Sequence, residues 1–312
     1  MKRIISGLLA AVLLAGCGDD DNDPGTEGRF SLSVTDAPVD EAEAVVVTFV
    51  AVELLGADGE PREVFTLDQP QSIDLLALQG ANSEFLVQDE VVPVGQYEEV
   101  RLILDTEDAS CNNLATPFPS YIRIDGTDYP LVVPSGGQSG LKVKGPITVA
   151  AGGLAAYTVD FDLRRSIAER GATGCYNLRP VLRVVDNAEV GTLAGTVESD
   201  VLLQEGCTAD SVSGEGAAIY VYSGAGVAPD DVDGVEPEPL TSALLVPKDD
   251  GSGDFSYEVG FLLAGDYTAA FSCQAGDDTA EADEPIAFGP TADVTIAADQ
   301  VTTQDFAIEA AP

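Results

Sequence analysis

Asp160 and Asp162 are the residues best placed by type and spacing to do chemistry, two apart in Val159-Asp160-Phe161-Asp162-Leu163. Alternation along a strand sends both carboxylates to one face and Val159, Phe161 and Leu163 to the other. A carboxylate pair is the equipment of a glycosidase, but there the two groups flank the scissile bond. Neighbours on one strand stand side by side instead, and Arg164, Arg179 and Arg183 are natural ion-pair partners for them. Nucleophilic chemistry lacks a base: Ser110, Ser135, Ser139 and Ser166 occur in a chain with no His. A Ser–Lys dyad with Lys142 or Lys144 has no strand–Ser–helix elbow to present the hydroxyl. Gly136-Gly137-Gln138-Ser139-Gly140 lacks the Lys and the helix of a phosphate loop.

Oxygen ligands for a hard cation are plentiful. Asp230, Asp231 and Asp233, then Asp249, Asp250 and Asp254, lie near glycines, and Ca²⁺ takes such oxygens. Neither run has the twelve-residue EF-hand spacing, so both read as turns. No catalytic residue, cofactor or metal centre is expected. A calcium-dependent binding or adhesion module is the alternative, and a hydrolase with carboxylate chemistry is the third reading.

Charge narrows the partners. The chain has a formal net charge of −40, which excludes nucleic acid, whose phosphates need a basic surface. Against this background the stretch from Gly140 to Val185 holds seven bases (Lys142, Lys144, Arg164, Arg165, Arg170, Arg179, Arg183) and three acids (Asp160, Asp162, Glu169). From residue 188 onward Lys248 is the one base among 25 acids. Two readings follow for Lys142, Lys144, Arg164, Arg165, Arg179 and Arg183. They face the acidic second half, a partner at high effective concentration, or they grip an anionic ligand such as an envelope glycan or a protein's carboxylates. Either way the four Arg are expected on one contiguous surface.

The N-terminus gives an address. Lys2 and Arg3 precede an apolar run from Ile4 to Gly16, too short to span a bilayer, in the layout of an export signal. Leu14-Ala15-Gly16-Cys17 resembles the lipobox of bacterial lipoproteins. The resemblance implies removal of residues 1–16 and lipid, palmitate among its acyl chains, on the sulfur and new amino group of Cys17. Gly18 rather than Asp after the Cys implies the outer membrane. Residues 17–28 read as an acidic tether. Cys111, Cys175, Cys207 and Cys273 then remain, with three possible pairings. Pairing within each half, Cys111 with Cys175 and Cys207 with Cys273, is the expected one, and the absence of His and of Cys-x-x-Cys argues against a metal.

The elements that must position these groups are strands. Phe30, Leu32 and Val34 share a face, as do Val45, Val47 and Phe49, and the alternation recurs at Val100–Leu104, Tyr157–Leu163, Phe255–Val259 and Val294–Ile296. Only Ser72–Leu78 approaches a helical turn. The reading is all-β: two consecutive β-sandwiches, residues 29–187 and 188–312, meeting near Asp186–Gly191.

The first half resembles the domain of unknown function 4382 family of exported bacterial proteins. Val34-Thr35-Asp36-Ala37-Pro38, Val94-Gly95-Gln96-Tyr97, Leu131–Ser135, Gly140-Leu141-Lys142, Val159–Ser166 and Tyr176–Val184 carry the resemblance, in order. It implies a β-sandwich on a lipoprotein and no activity. The second half resembles a carboxypeptidase regulatory-like, prealbumin-type sandwich through Leu193–Val197, Ala218–Tyr222, Asp250–Ser256 and Leu263–Thr268. That implies a spacer or docking module, from which the insert Gly224–Leu240 departs. The function expected is a non-catalytic, envelope-anchored binding, adhesion or scaffold module.

Overall fold

A computed structural model describes residues 25–37, 42–106, 111, 117–134, 136–171, 174–280 and 282–308. The signal residues 1–16, Cys17, most of the tether, Ser110 and Ser135 lie outside them. The protein is built from strands. In the first sandwich, one sheet runs in the order Val181–Asp186, Leu154–Asp162, Glu27–Ala37, Glu84–Pro93. The Glu27–Ala37 and Leu154–Asp162 strands are parallel, with Val34 opposite Val159. The facing sheet centres on Ala44–Leu55, which pairs with Arg62–Asp74, Gly95–Leu104 and Tyr121–Ile124. The expected inward residues Phe30, Leu32, Val34, Val45, Val47 and Phe49 are fully buried, and Phe49 meets Phe161 edge-on across the core at 6.4 Å.

Strands after Val190 form two further four-stranded sheets, and among the described residues no sheet mixes strands from before Asp186 and after Val190. One sheet holds Val190–Val197 beside Phe255–Leu263, the other Ala218–Ser223 beside Gly265–Ser272. Ile219 and Val221 point into the core between these sheets, with Phe255, Tyr257 and Phe306. Tyr220 and Tyr222, of opposite parity, are buried in a separate cluster with Val232 and Ala275. The insert Gly224–Leu240 supplies that cover: Val232 is buried, and the Tyr222 hydroxyl bonds the Asp230 carbonyl.

One detail differs from the strand-level reading. The Arg62–Asp74 strand runs on through Ser72, Ile73 and Asp74, and only Leu75–Leu78 turns, as a short 3-10 helix. Asp74 ends the strand because its carboxylate takes the amides of Val45 and Leu76, at 3.0 and 3.3 Å. Both sandwiches also repeat one device. Tyr97 donates to the Pro93 carbonyl at 3.0 Å, and Tyr267 to the Leu263 carbonyl at 2.8 Å, each four residues upstream. In each, the hydroxyl of a buried ring pins the turn that precedes its own strand.

Candidate functional site

The basic cluster divides between a junction and open surface. Val159 and Phe161 fill the core, which by parity places Asp160 on the other face of its strand, opposite Arg183 in register. Arg183 Nη2 reaches Asp160 Oδ2 at 2.6 Å. Asp162 ends the same strand and caps the single helical turn Leu163–Ser166, accepting the Arg165 amide at 3.1 Å and its guanidinium at 2.6 Å. That turn projects Arg164 and Arg165 at the second sandwich.

Arg164 is the centre of the junction. Its Nη1 donates to the Tyr220 hydroxyl at 2.6 Å and lies 3.2 Å from Asp278 Oδ2, and its guanidinium sits 5.4 Å from the centre of the Tyr220 ring. Tyr220 in turn donates to Asp278 Oδ2 at 2.6 Å, and Asp278 Oδ1 accepts the Val232 amide at 3.1 Å. The Arg164 side chain is 9% exposed and that of Asp278 0%. A charge pair so deprived of water stabilises only when its remaining polar atoms are bonded, and both oxygens of Asp278 are. Burial pushes the Tyr220 hydroxyl well above the usual phenol range, opposed by Arg164 and reinforced by Asp278. Arg165 extends the contact to Glu238 of the insert, at 3.5 Å. A groove of about 280 Å³ opens beside the pair, between Ile122 and Leu163 on one side and Ala275 and Thr279 on the other.

A second patch of the junction is made of backbone. Glu258 accepts the Ala81 amide at 2.8 Å. Gly260 comes so close to the other chain segment that a Cβ there would stand 2.5 Å from the Gly80 carbonyl oxygen. No side chain fits in that approach.

Lys142, Lys144 and Arg179 are exposed. The two Lys alternate with buried Leu141 and Val143 and stand opposite Arg101 and Glu99 on the neighbouring strand. Among the described residues, ion pairs to the second sandwich come from Arg164 and Arg165, not from these three. Cys111 and Cys175 form a disulfide, with Cα atoms 5.6 Å apart. Cys207 and Cys273, expected as the second disulfide, are instead free thiols side by side, the Cys207 Sγ 3.8 Å from the Cys273 carbonyl. Burial, and then the neighbouring Cys207, push the Cys273 thiol up to about 12.

Acidic groups also gather near the insert. Carboxylates of Asp231, Asp278 and Glu284 lie within 4.8 Å of one another, as do those of Asp231, Asp233 and Asp283. Asp278 has both oxygens engaged, and Asp231 Oδ2 accepts the Glu284 amide at 2.6 Å. The Asp249–Asp254 run behaves as a turn: Asp250 accepts the Ser252 amide at 2.9 Å, and the Ser252 hydroxyl, followed by that amide, holds its carboxyl down at about 2.

One carboxylate escaped the sequence reading. Asp36 is 4% exposed, and neither of its oxygens has a hydrogen-bond partner. Burial raises its carboxyl well above the ordinary range, and Asp160 and Asp162 add to the rise. The Leu163 amide opposes this without reaching hydrogen-bond geometry. The signal was present in the sequence: Asp36 continues the inward parity of Phe30, Leu32 and Val34. Tyr220, Glu238, Glu258 and Asp278 carried no such signal.

Among solved structures, the chain is similar to a leucine-rich repeat protein from Bacteroides thetaiotaomicron, at 12% identity over 91% of this chain and TM-score 0.21. It spans about a quarter (26%) of that protein's length. It is similar to the minor pilin of Streptococcus agalactiae (11% identity, 89% of this chain and 94% of the pilin, TM-score 0.19). A third likeness is to a fimbrial anchor protein from Porphyromonas gingivalis (11% identity, 80% and 79%, TM-score 0.17). No curated protein sequence matches the chain. Residues 1–17 match the prokaryotic membrane lipoprotein lipid attachment site, and among the described residues no helix is long and apolar enough to cross a membrane. Residues 27–180 match the family described as Domain of unknown function (DUF4382), so the first sandwich is similar to that domain, on a lipid-anchored protein of the cell envelope.

Proposed function

We propose that the protein is a non-catalytic scaffold or adhesion module, lipid-anchored at Cys17 to the outer membrane. Its two sandwiches, residues 29–187 and 188–312, act as one body. The observation that carries this reading is the use made of the functional-looking charges. Asp160 is tied to Arg183, Asp162 to Arg165, and Asp278 to Arg164 and Tyr220. Groups committed to such pairs are not free to flank a bond or take a proton, and the Arg164–Asp278 pair joins one sandwich to the other. This supports the interdomain reading of Arg164 and Arg165 over the anionic-ligand one, and Arg183 is taken up by Asp160 within the first sandwich. Lys142, Lys144 and Arg179 stay available to solvent. The second sandwich is read as a carboxypeptidase regulatory-like spacer, supported by its pair of four-stranded sheets. The groove beside Arg164 offers a partner a site of fixed shape.

The test compares cells carrying the chain with cells carrying Cys17→Ser. Loss of the chain from the outer-membrane fraction, with loss of adhesion or of a co-purifying envelope partner, is the expected result. Turnover of an envelope glycan or ester by the purified chain, abolished in Asp160→Asn, would overturn it.

A further inference from the structure

The chain coming from Cys17 enters the first sandwich between two turns. One joins the Glu84–Pro93 and Gly95–Leu104 strands at Val94, and the other joins Leu141–Val149 to Leu154–Asp162 through residues 150–153. Both are bonded to the entering chain: the Thr26 carbonyl accepts the Val94 amide and the Glu27 carbonyl the Gly152 amide, each at 2.9 Å. On the neighbouring strands Val91 and Leu154 stand opposite Arg29, one on either side, so the three side chains share a face of the sheet. Val91, Val94 and Leu154 are 52%, 42% and 61% exposed, and Pro93, Ala150 and Ala151 are exposed with them. In a chain that is 22% charged, residues 91–97 and 145–159 hold no charged side chain. Turns between strands are ordinarily polar, and an apolar rim in open solvent marks a contact surface.

The geometry points to a membrane-contact surface: Val91, Val94 and Leu154 rest in the boundary between headgroups and acyl chains of the leaflet that holds the lipid of Cys17. The length of the chain argues for this occupant. Cys17 lies ten residues before Glu27, and ten residues span at most about 33–36 Å even when fully extended. The rim around Glu27 is therefore kept within that distance of the bilayer, and a weak apolar contact suffices because the anchor holds its effective concentration high. Charge selects the lipid. The groups flanking the rim are Glu27, Glu90 and the Arg29–Asp89 pair, 2.9 Å apart, which leave no surplus base for anionic headgroups. Zwitterionic phospholipid is the surface that fits. Such a contact stands the first sandwich upright. Along the strand, Leu154 is opposite Arg29 and Asp162 opposite Ala37, eight residues further on, which places the Arg164 junction roughly 26 Å above the rim. The inference rests on lipid attachment at Cys17 and not on the scaffold or adhesion role.

The chain has no Trp, so a single introduced Trp is an unambiguous emission reporter. The lipidated chain carrying Leu154→Trp, Val94→Trp or Val212→Trp is reconstituted into vesicles of phosphatidylethanolamine and phosphatidylcholine. A fraction of the phosphatidylcholine bears a nitroxide near the top of its acyl chain. Val212, 80% exposed in the second sandwich, serves as the control. Nitroxide is expected to quench Leu154→Trp and Val94→Trp at least about threefold more than Val212→Trp, with rim emission shifted to the blue. The ratio should hold between about 0.05 and 0.5 M NaCl, because the contact is apolar. Vesicles that carry the chain but quench rim and control alike would overturn the contact and leave the anchor standing. A chain that fails to float with the vesicles would overturn the anchor and the contact with it. Quenching lost at the higher salt would show an electrostatic contact and overturn the apolar one. The two rim reporters lie on different segments, so a folding failure in one leaves the other to decide.

Discussion

Arg164→Ala removes the one cation that, among the described residues, reaches Asp278, whose side chain is 0% exposed. The carboxylate would keep the Tyr220 hydroxyl at 2.6 Å and the Val232 amide at 3.1 Å. It would lose its counter-charge, and the Tyr220 ring would lose a guanidinium 5.4 Å from its centre. Breaking a buried pair from one side costs about 3–5 kcal/mol, because the other charge stays behind. Two surviving hydrogen bonds place the expected value near the lower end, about 3 kcal/mol. For a unit of about 150 residues or more, that lowers the midpoint of thermal unfolding by roughly 6–12 °C. The chain has no Trp and nine Tyr, so tyrosine emission, to which Tyr220 contributes, is the probe. Arg164→Met combined with Asp278→Asn removes both charges and is expected to recover most of the loss, since the neutral amide still bonds its neighbours. A loss below about 1 kcal/mol in Arg164→Ala, or a double variant as unstable as the single one, would refute the claim that this pair clasps the sandwiches.

The other expectations concern pH, turns and thiols. Burial raises the hydroxyls of Tyr220, Tyr222 and Tyr257 far above the ordinary phenol value. The stability tied to them is complete below the unfolded value near pH 10 and is lost above it, at about 1.4 kcal/mol per pH unit for each ring. Absorbance of phenolate should therefore show these three ionising together with unfolding, and a smooth titration of a folded chain near pH 10 would count against it. Tyr97→Phe and Tyr267→Phe should each cost about 1 kcal/mol in urea unfolding, the worth of one hydrogen bond, and a neutral result in either would show that the turn does not need it. Cys273 is expected to alkylate slowly at pH 8 in the reduced chain, because its thiol sits near 12 and little thiolate forms. Oxidation is expected to add Cys207–Cys273 to Cys111–Cys175 on non-reducing peptide maps, and a Cys111–Cys207 link would refute the pairing within halves.

Much of the fold was legible because alternation carries direct physical information. Parity alone put Phe30, Leu32, Val34, Val159 and Phe161 in the core, and it put Asp160 on a face where an Arg could meet it. The same parity aimed Asp36 inward, but a lone acid inside a motif gives no hint that its oxygens lack partners. The turn at Leu75–Leu78 came out shorter than the Ser72–Leu78 stretch suggested, because sheet pairing of Ser72, Ile73 and Asp74 outweighed local preference. The junction was the least legible part. Arg164 meets Tyr220 and Asp278, 56 and 114 residues away in the chain. No periodicity within either sandwich encodes which of its faces meets the other. Net charge went part of the way, by setting a basic stretch against a half with a single base. It could not separate Arg164 and Arg165, which reach the second sandwich, from Lys142, Lys144 and Arg179, which are left to solvent.

The central claim is that buried charge pairs make the two sandwiches a single body. Nuclear spin relaxation of backbone amides in the lipid-free chain tests it without any added label. The account predicts one rotational correlation time shared by residues 29–187 and 188–306, splitting into two shorter times in Arg164→Ala. Two independent, faster correlation times in the unsubstituted chain would contradict it.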